Sequence, residues 1–180
     1  MQVKRTSSPE RVALQGLANN KHVAKIGFFE SARYPDGTPI AYIASIQEYG
    51  VESQSIPARP FFRPTIDENR AKWQQDFSKL VKRVSNGKME EKQAYDAIGL
   101  LASGAVAKTI ATLTAPPLSK ITLLARKYRL AGGKVTGATI GMFAAQVKKN
   151  PDIDVSGVSV KPLNDTGMLL AHLTHTVESK

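Results

Sequence analysis

The chain has 180 residues, of which 42% are hydrophobic and 22% are charged, and a chain of this length and composition can bury one hydrophobic core. It contains no cysteine, which excludes disulfide bonds, a thiolate nucleophile and thiolate metal sites. Its formal net charge of +10 favours a nucleic acid or an acidic protein surface as a partner, although solvated helix faces explain such charges equally well.

The N-terminal segment is polar and only weakly periodic. Val12, Leu14 and Leu17 are compatible with a short amphipathic element. Residues 1–8 lead into no apolar region of the kind that a signal peptide contains. No apolar run in the sequence approaches the ~20 residues that span a bilayer. We therefore expect neither secretion nor contact with a membrane.

The first regular elements are a strand and a short helix. Residues 23–29 are rich in β-branched and aromatic side chains and precede the turn sequence Pro35-Asp36-Gly37-Thr38, which predicts a strand. Isoleucines then recur every third residue until Gly50. This spacing predicts a helix over residues 39–49, with Pro39 in its first turn and Gly50 in the left-handed position after its end.

Two long helices follow a loop. Residues 51–64 contain three prolines, each of which removes a backbone donor, and we expect a structured loop there. Thr65 and Glu68 have the spacing of a capping box, and the apolar residues after them predict an amphipathic helix from Ile66 to about Val84. A second stripe of apolar and small residues predicts another helix between Tyr95 and Leu113.

The remaining elements are shorter. Ser119 is expected to cap a helix that runs through Arg129 and ends at Gly132-Gly133. Residues from about 130 to 160 form a predicted insertion with one helix near 140–148. A turn at Asp165-Thr166-Gly167 then leads through a short helix into a closing strand at Leu173, His175 and Val177. The sequence thus predicts an α+β fold, in which a small antiparallel sheet packs against long amphipathic helices in a single domain.

The sequence offers little chemistry for catalysis. Asp165-Thr166-Gly167 matches the tripeptide of aspartic proteases, in which two carboxylates share a proton, but it occurs once, so a protease would have to be a dimer. In the alternative interpretation the tripeptide is a structural turn, in which Asp165 or Thr166 caps the next helix. His172 and His175 have no identifiable third metal ligand, and in a strand their side chains would point to opposite faces. We predict no catalytic residue, no cofactor and no metal.

The densest motif lies between Glu48 and Pro64. It consists of aromatic residues set between prolines and arginines, a composition that limits the entropy lost on binding and is typical of interface anchors. The alternative is a local plug, in which Phe61 and Phe62 cover the core. In the first case, exchange of Phe61 and Arg63 for alanine leaves a folded subunit that does not assemble. The predicted interface residues are Glu48, Tyr49, Gly50, Arg59, Pro60, Phe61, Phe62, Arg63 and Pro64.

This motif and those that follow it resemble the tail-completion, or neck, proteins of tailed double-stranded DNA bacteriophages, a family also described as virion morphogenesis or minor tail proteins. The family has a helix that ends in Glu-aromatic-Gly and a Pro-x-Arg-Pro-Phe-x-Arg-Pro loop, here residues 48–50 and 57–64. A Pro-Leu-Ser segment with a following Arg-Lys matches residues 117–119 and 126–127, and Lys-Pro-Leu-x-Asp-Thr-Gly-x-Leu matches residues 161–169. The resemblance covers roughly residues 23–178 and is interrupted by the longer stretch at about 130–160.

The resemblance implies a structural virion protein and no enzyme. Such a subunit is assembled in the bacterial cytoplasm and is expected to form a homo-oligomeric, hexameric ring at the head–tail junction of the virion. Its partners are the head connector or other portal-proximal proteins on one side and the tail tube or tail terminator on the other. The basic charge would face an acidic ring or the DNA in the lumen. A basic nucleic-acid-binding module is the alternative function, and a dimeric aspartic protease is a third.

Overall fold

The computed structural model describes residues 22–179. The elements in chain order are β1 (His22–Gly27), α1 (Ile40–Tyr49), a short 3₁₀ turn (Glu52–Gln54), α2 (Phe62–Ser85), α3 (Glu91–Thr112), α4 (Lys120–Leu130), α5 (Gly137–Lys149), α6 (Met168–Ala171) and β2 (Thr174–Ser179). This architecture confirms the predicted α+β class. No helix of residues 22–179 is long and apolar enough to cross a bilayer. The element expected at Val12, Leu14 and Leu17 lies outside the described residues.

The sheet joins the two ends of the described chain. β1 and β2 pair antiparallel, with His22 opposite Ser179 and Gly27 opposite Thr174. Both strands pack on α3, and the helix approaches them closely at Gly99, where a Cβ atom would lie 2.6 Å from the ring of His175. The predicted first and closing strands are both present, and the sheet lies against a long helix as expected.

α2 begins earlier than its local sequence predicts. The helix starts at Phe62, so Thr65 lies inside it and is not its cap. Thr65 is buried, its hydroxyl donates to the Phe61 carbonyl at 2.6 Å, and it contacts the Thr109 hydroxyl of α3 at 2.6 Å. The predicted capping box of Thr65 and Glu68 is therefore wrong, because Thr65 serves the packing of α2 on α3.

The main hydrophobic core lies between α1, α3 and the segment that contains α6. Phe61, which immediately precedes α2, is completely buried in it and makes an edge-to-face contact with the Phe28 ring at 6.3 Å. The packing of the Phe61 side chain thus holds the start of α2 against the core. The buried members of this core are Ile40, Ala44, Phe61, Val106, Ile110, Leu163 and Leu169.

A second, smaller core lies between α4 and α5. Leu124, Ala125 and Phe143 are its buried members, and Phe143 also contacts the ring of Tyr128 at 5.7 Å. Ser119 caps α4 as predicted, since its hydroxyl accepts from the Thr122 amide at 3.2 Å. The predicted helix near 140–148 is present as α5. The stretch from about 130 to 160 therefore shares its apolar contacts with α4.

Candidate functional site

A buried carboxylate joins α1 to the start of α2. Glu48 lies in the last turn of α1 and is only 4% exposed. Its carboxylate accepts from the backbone amides of Phe61 at 2.7 Å, Phe62 at 2.9 Å and Arg63 at 3.1 Å. The first amides of a helix have no partner within it, and a negative charge there is favourable. Glu48 therefore caps α2 from another element.

The hydrogen bonds around Glu48 decide its ionisation. Burial alone raises the pKa of this carboxyl, but the backbone amides of Phe62, Phe61 and Arg63 and the Arg63 side chain outweigh burial. They leave the pKa of Glu48 below its ordinary value of 4.5, because each of these bonds stabilises the charged form. The cap is thus ionised at neutral pH.

Arg63 completes this arrangement on its solvent side. Its Nε donates to the Glu48 carboxylate at 3.0 Å and its Nη2 donates to the Glu48 carbonyl at 2.7 Å. The guanidinium also lies 4.8 Å from the centre of the Tyr49 ring, a cation–π geometry. Tyr49 is 67% exposed and the Arg63 side chain is 55% exposed. This Tyr49–Arg63 pair is the outward part of the motif.

Arg59 points inward instead. The residue is 5% exposed, and its Nε and Nη2 donate to the carbonyls of Pro116 at 3.0 Å and Pro117 at 3.1 Å. Its backbone amide donates to the Gln47 carbonyl at 2.6 Å. The proline-rich loop is thereby attached to α1 and to the connection between α3 and α4.

Gly50 makes the sharp turn that brings the loop back to α1. Its φ is +73°, in the left-handed region, and a Cβ atom would lie 2.7 Å from the backbone nitrogen of Ala58. Both the conformation and the close approach require glycine. The position predicted for Gly50 after the end of α1 agrees with this geometry.

These contacts locate the predicted interface residues. Glu48, Arg59 and Phe61 are buried within the chain, so the local plug describes Phe61 correctly. Tyr49 and Arg63 are exposed, and the other members are half-buried: Gly50, Pro60, Phe62 and Pro64. An interface role for the motif stays a prediction, and its accessible part is the Tyr49–Arg63 pair.

Asp165 lies in a turn beside two arginines. Its carboxylate is 3.4 Å from Arg126 Nε and also pairs with Arg129. Thr166 accepts weakly from the Met168 amide at 3.4 Å, and Gly167 adopts a φ of +75° just before α6. Within residues 22–179, the charged neighbours of Asp165 are cations, whereas the proton sharing of a protease dyad needs a second carboxylate.

Arg126 connects this turn to α4. It is 5% exposed, and its Nη1 donates to the carbonyls of Ser159 at 2.6 Å and Lys161 at 3.0 Å, while its Nη2 donates to that of Pro162 at 3.2 Å. Sequence reasoning gave this residue no role of its own. A charged residue directly after Leu123-Leu124-Ala125 was the available signal, because a buried charge requires several partners.

The two histidines near the C-terminal end do not meet at one site. His172 Nδ1 lies 2.9 Å from the Met168 carbonyl, and His175 Nε2 lies 3.0 Å from the Asp96 carboxylate of α3. Across residues 22–179, no group of three or more histidine and acidic side chains is placed to hold a metal ion.

The motif segments meet around one cleft of about 670 Å³. The proline-rich loop, the Pro117-Leu118-Ser119 segment, Arg126 and residues 162–169 each contribute to its wall, although they are far apart in the sequence. α1 closes one side with Ile43 and Gln47. The fold therefore brings residues of the sequence motifs together at a single place, which we call the arginine cleft.

Comparisons of the chain with protein-family models, with curated proteins and with solved structures find no match. The resemblance to phage tail-completion proteins thus depends on the ordered motifs of the sequence, and it stays a prediction.

Proposed function

We propose that the chain is a structural subunit of the head–tail junction of a tailed bacteriophage, where it forms a homo-oligomeric ring between the head connector and the tail. The observation that supports this function is the arginine cleft. Its walls include residues from three of the motifs that resemble tail-completion proteins, those at 57–64, at 117–119 with 126–127, and at 161–169. A set of motifs that meets in space is a coherent structural unit, and this supports the resemblance more strongly than separate short matches.

The unit is built for rigidity. Glu48 holds α2 to α1, Arg59 holds the loop to the α3–α4 connection, and Arg126 holds α4 to the segment before α6. Each contact uses a buried charge on several backbone partners, which is costly to break. A subunit that joins a head connector to a tail must hold its two contact surfaces in a fixed relative position.

A closed ring needs two different surface patches on each subunit. The Tyr49–Arg63 pair is one candidate, because tyrosine and arginine are the residues that most often dominate interface energies. Leu100 and Leu101 on α3 are a second candidate, since they are 62% and 48% exposed. The two patches are formed by different helices, and a heterologous contact joins two different patches.

Electron microscopy and light scattering of the purified protein test this function. We expect rings, and we expect Tyr49→Ser to reduce the ring fraction roughly tenfold while leaving the fold intact, because an exposed anchor is lost. Leu130→Ser is the control, since Leu130 is also strongly exposed at 73% but lies outside both patches. A monomer at all concentrations that binds DNA with a steep salt dependence would instead favour the nucleic-acid-binding alternative.

A further inference from the structure

The arginine cleft contains a cation that lacks an acidic partner. Arg59 and Arg126 line the cleft together with one carboxylate, Asp165. Asp165 already pairs with Arg126 and with Arg129. Arg59 therefore has no carboxylate partner among residues 22–179, and both burial and the neighbouring Arg126 lower its pKa. A buried charge in this position is costly unless an anion reaches it.

The Arg59 guanidinium is also incompletely hydrogen-bonded. It has five N–H donors, of which the carbonyls of Pro116 and Pro117 engage one on Nε and one on Nη2. Its Nη1 makes no hydrogen bond with any residue in the described range 22–179. Two parallel donors on a guanidinium are the geometry that a carboxylate binds best.

A residue with an orphaned acceptor lies in the wall of the same cleft. The Gln47 side-chain oxygen is buried and has no hydrogen-bond partner within residues 22–179, and Gln47 contributes to the cleft wall. A backbone N–H from an incoming extended chain would satisfy this oxygen. A peptide carries both the carboxylate that Arg59 lacks and the donor that Gln47 lacks, whereas a phosphodiester of the DNA backbone carries no donor.

The composition of the cleft wall also favours a peptide as the occupant. Its wall includes the apolar side chains of Ile43, Leu118 and Leu163 beside the charged groups. The two arginines are each only 5% exposed, so a single side chain can reach them more readily than the backbone of a DNA duplex. Mixed apolar and cationic walls suit a short segment with an acidic residue between apolar ones.

We propose that the arginine cleft binds a carboxylate-bearing segment of an acidic partner protein, with its carboxylate on Arg59 and a backbone N–H on Gln47. A separate acidic partner is favoured over a second copy because the cleft is lined by two arginines and one carboxylate, and a chain with a net charge of +10 attracts acidic surfaces. The proposal concerns binding by the subunit itself and does not require the ring.

Nitrogen–proton NMR of the full chain tests the site with two blocked peptides, Ala-Leu-Glu-Pro-Leu-Ala and its glutamine counterpart. The glutamate peptide should shift the Arg59 Nε–H and Gln47 amide signals at millimolar concentration. The glutamine peptide should bind about tenfold more weakly, because the charge-assisted bond is lost. Equal binding of the two peptides, no binding of either, or shifts confined to residues outside the cleft would overturn the proposal.

Variants locate the contact. Arg59→Gln should weaken binding of the glutamate peptide about tenfold. Arg70→Gln removes the same charge at an exposed position of α2 and should change the affinity by less than about twofold. If Arg59→Gln does not fold, Gln47→Leu carries the test, since it removes an unsatisfied acceptor and keeps the wall apolar. Gln47→Leu should weaken binding of the glutamate peptide several-fold, and unchanged affinity would contradict the proposal.

Two further measurements test whether DNA or a second copy of the chain occupies the cleft instead of the peptide. A short DNA duplex should leave the peptide-induced shift of Arg59 unchanged, and displacement of the peptide from Arg59 would indicate a phosphate site instead. Concentrating the protein alone should leave the Arg59 signal in place. The same shift without any peptide would indicate that a second copy occupies the cleft.

Discussion

At the scale of single residues, Glu48 shows how a helix start can be determined by a side chain from another element. Its carboxylate accepts from three successive amides, of Phe61, Phe62 and Arg63. The position of α2 is thus fixed by α1. The proline-rich loop between the two helices needs no local cap of its own.

Glu48→Gln should lower the free energy of unfolding by roughly 2–3 kcal/mol, because one charged acceptor of several buried donors is replaced by a neutral amide. Urea unfolding at neutral pH measures this change. Glu52→Gln is the matched control on the exposed 3₁₀ turn and should remain within about 0.5 kcal/mol of the wild type. Equal stability of the two variants would show that the Glu48 cap contributes little.

The stabilising effect of Glu48 should also depend on pH. Its folded-state pKa lies below the ordinary value of 4.5, so the ionised form is favoured by folding. The contribution is therefore fully present above pH 4.5 and is lost as the pH falls through the lower folded-state pKa. Unfolding midpoints from neutral pH down into the acid range should show the gap between wild type and Glu48→Gln closing. A gap that stays constant would contradict this assignment.

The sequence made the Glu48–Pro64 motif conspicuous but did not reveal which way each side chain points. Composition left an interface anchor and a local plug both open, because an Arg or Phe between prolines looks the same whether it faces outward or inward. Phe61 is fully buried, so its exchange for alanine should destabilise the core. The expectation that the combined exchange of Phe61 and Arg63 leaves a folded subunit stays a prediction. Orientation depends on contacts with α3 and with residues 116–117, which are distant in the sequence.

At the scale of elements, local start and stop signals predicted most of the fold. Ser119 before α4 and Gly50 after α1 act through neighbours within a few residues, and these boundaries agree with the structure. The start of α2 was missed, because Thr65 has the right local spacing but is buried against Thr109. Local patterns fail where a tertiary contact competes for the same side chain.

Two glycine substitutions should have opposite effects on stability. Gly50→Ala places a Cβ 2.7 Å from the Ala58 nitrogen at a φ of +73°, which should cost about 1–3 kcal/mol or more. Gly141→Ala lies within α5 with open space around its Cβ and should stabilise by about 0.5–1 kcal/mol. Thermal unfolding of both variants checks the contrast. A stable Gly50→Ala protein would mean that the turn can relax.

At the scale of the whole molecule, the described residues form two hydrophobic clusters that join different sets of elements. The main core joins α1, α3 and the segment around α6, whereas the smaller one joins α4 and α5. Arg126 connects them, since it extends from α4 to carbonyls before α6. The sequence predicted the insertion at about 130–160, but the apolar pairing of α5 with α4 emerged only from the structure.

The two clusters should respond differently to loss of an aromatic side chain. Phe61→Ala removes a fully buried ring from the main core and should cost about 3–5 kcal/mol, which is a large part of typical domain stability. Phe143→Ala should instead increase amide hydrogen exchange mainly in α4 and α5. Uniform acceleration of exchange throughout the chain by Phe143→Ala would show that both clusters unfold as one unit.

The most direct test of the proposed function is to delete the gene that encodes the chain and to image the phage particles that the cells then form. The proposal predicts DNA-filled heads and separate tails, with joined particles restored when the wild-type protein is supplied from a plasmid. Intact, infectious particles in the absence of the protein would contradict a role in completing the head–tail junction.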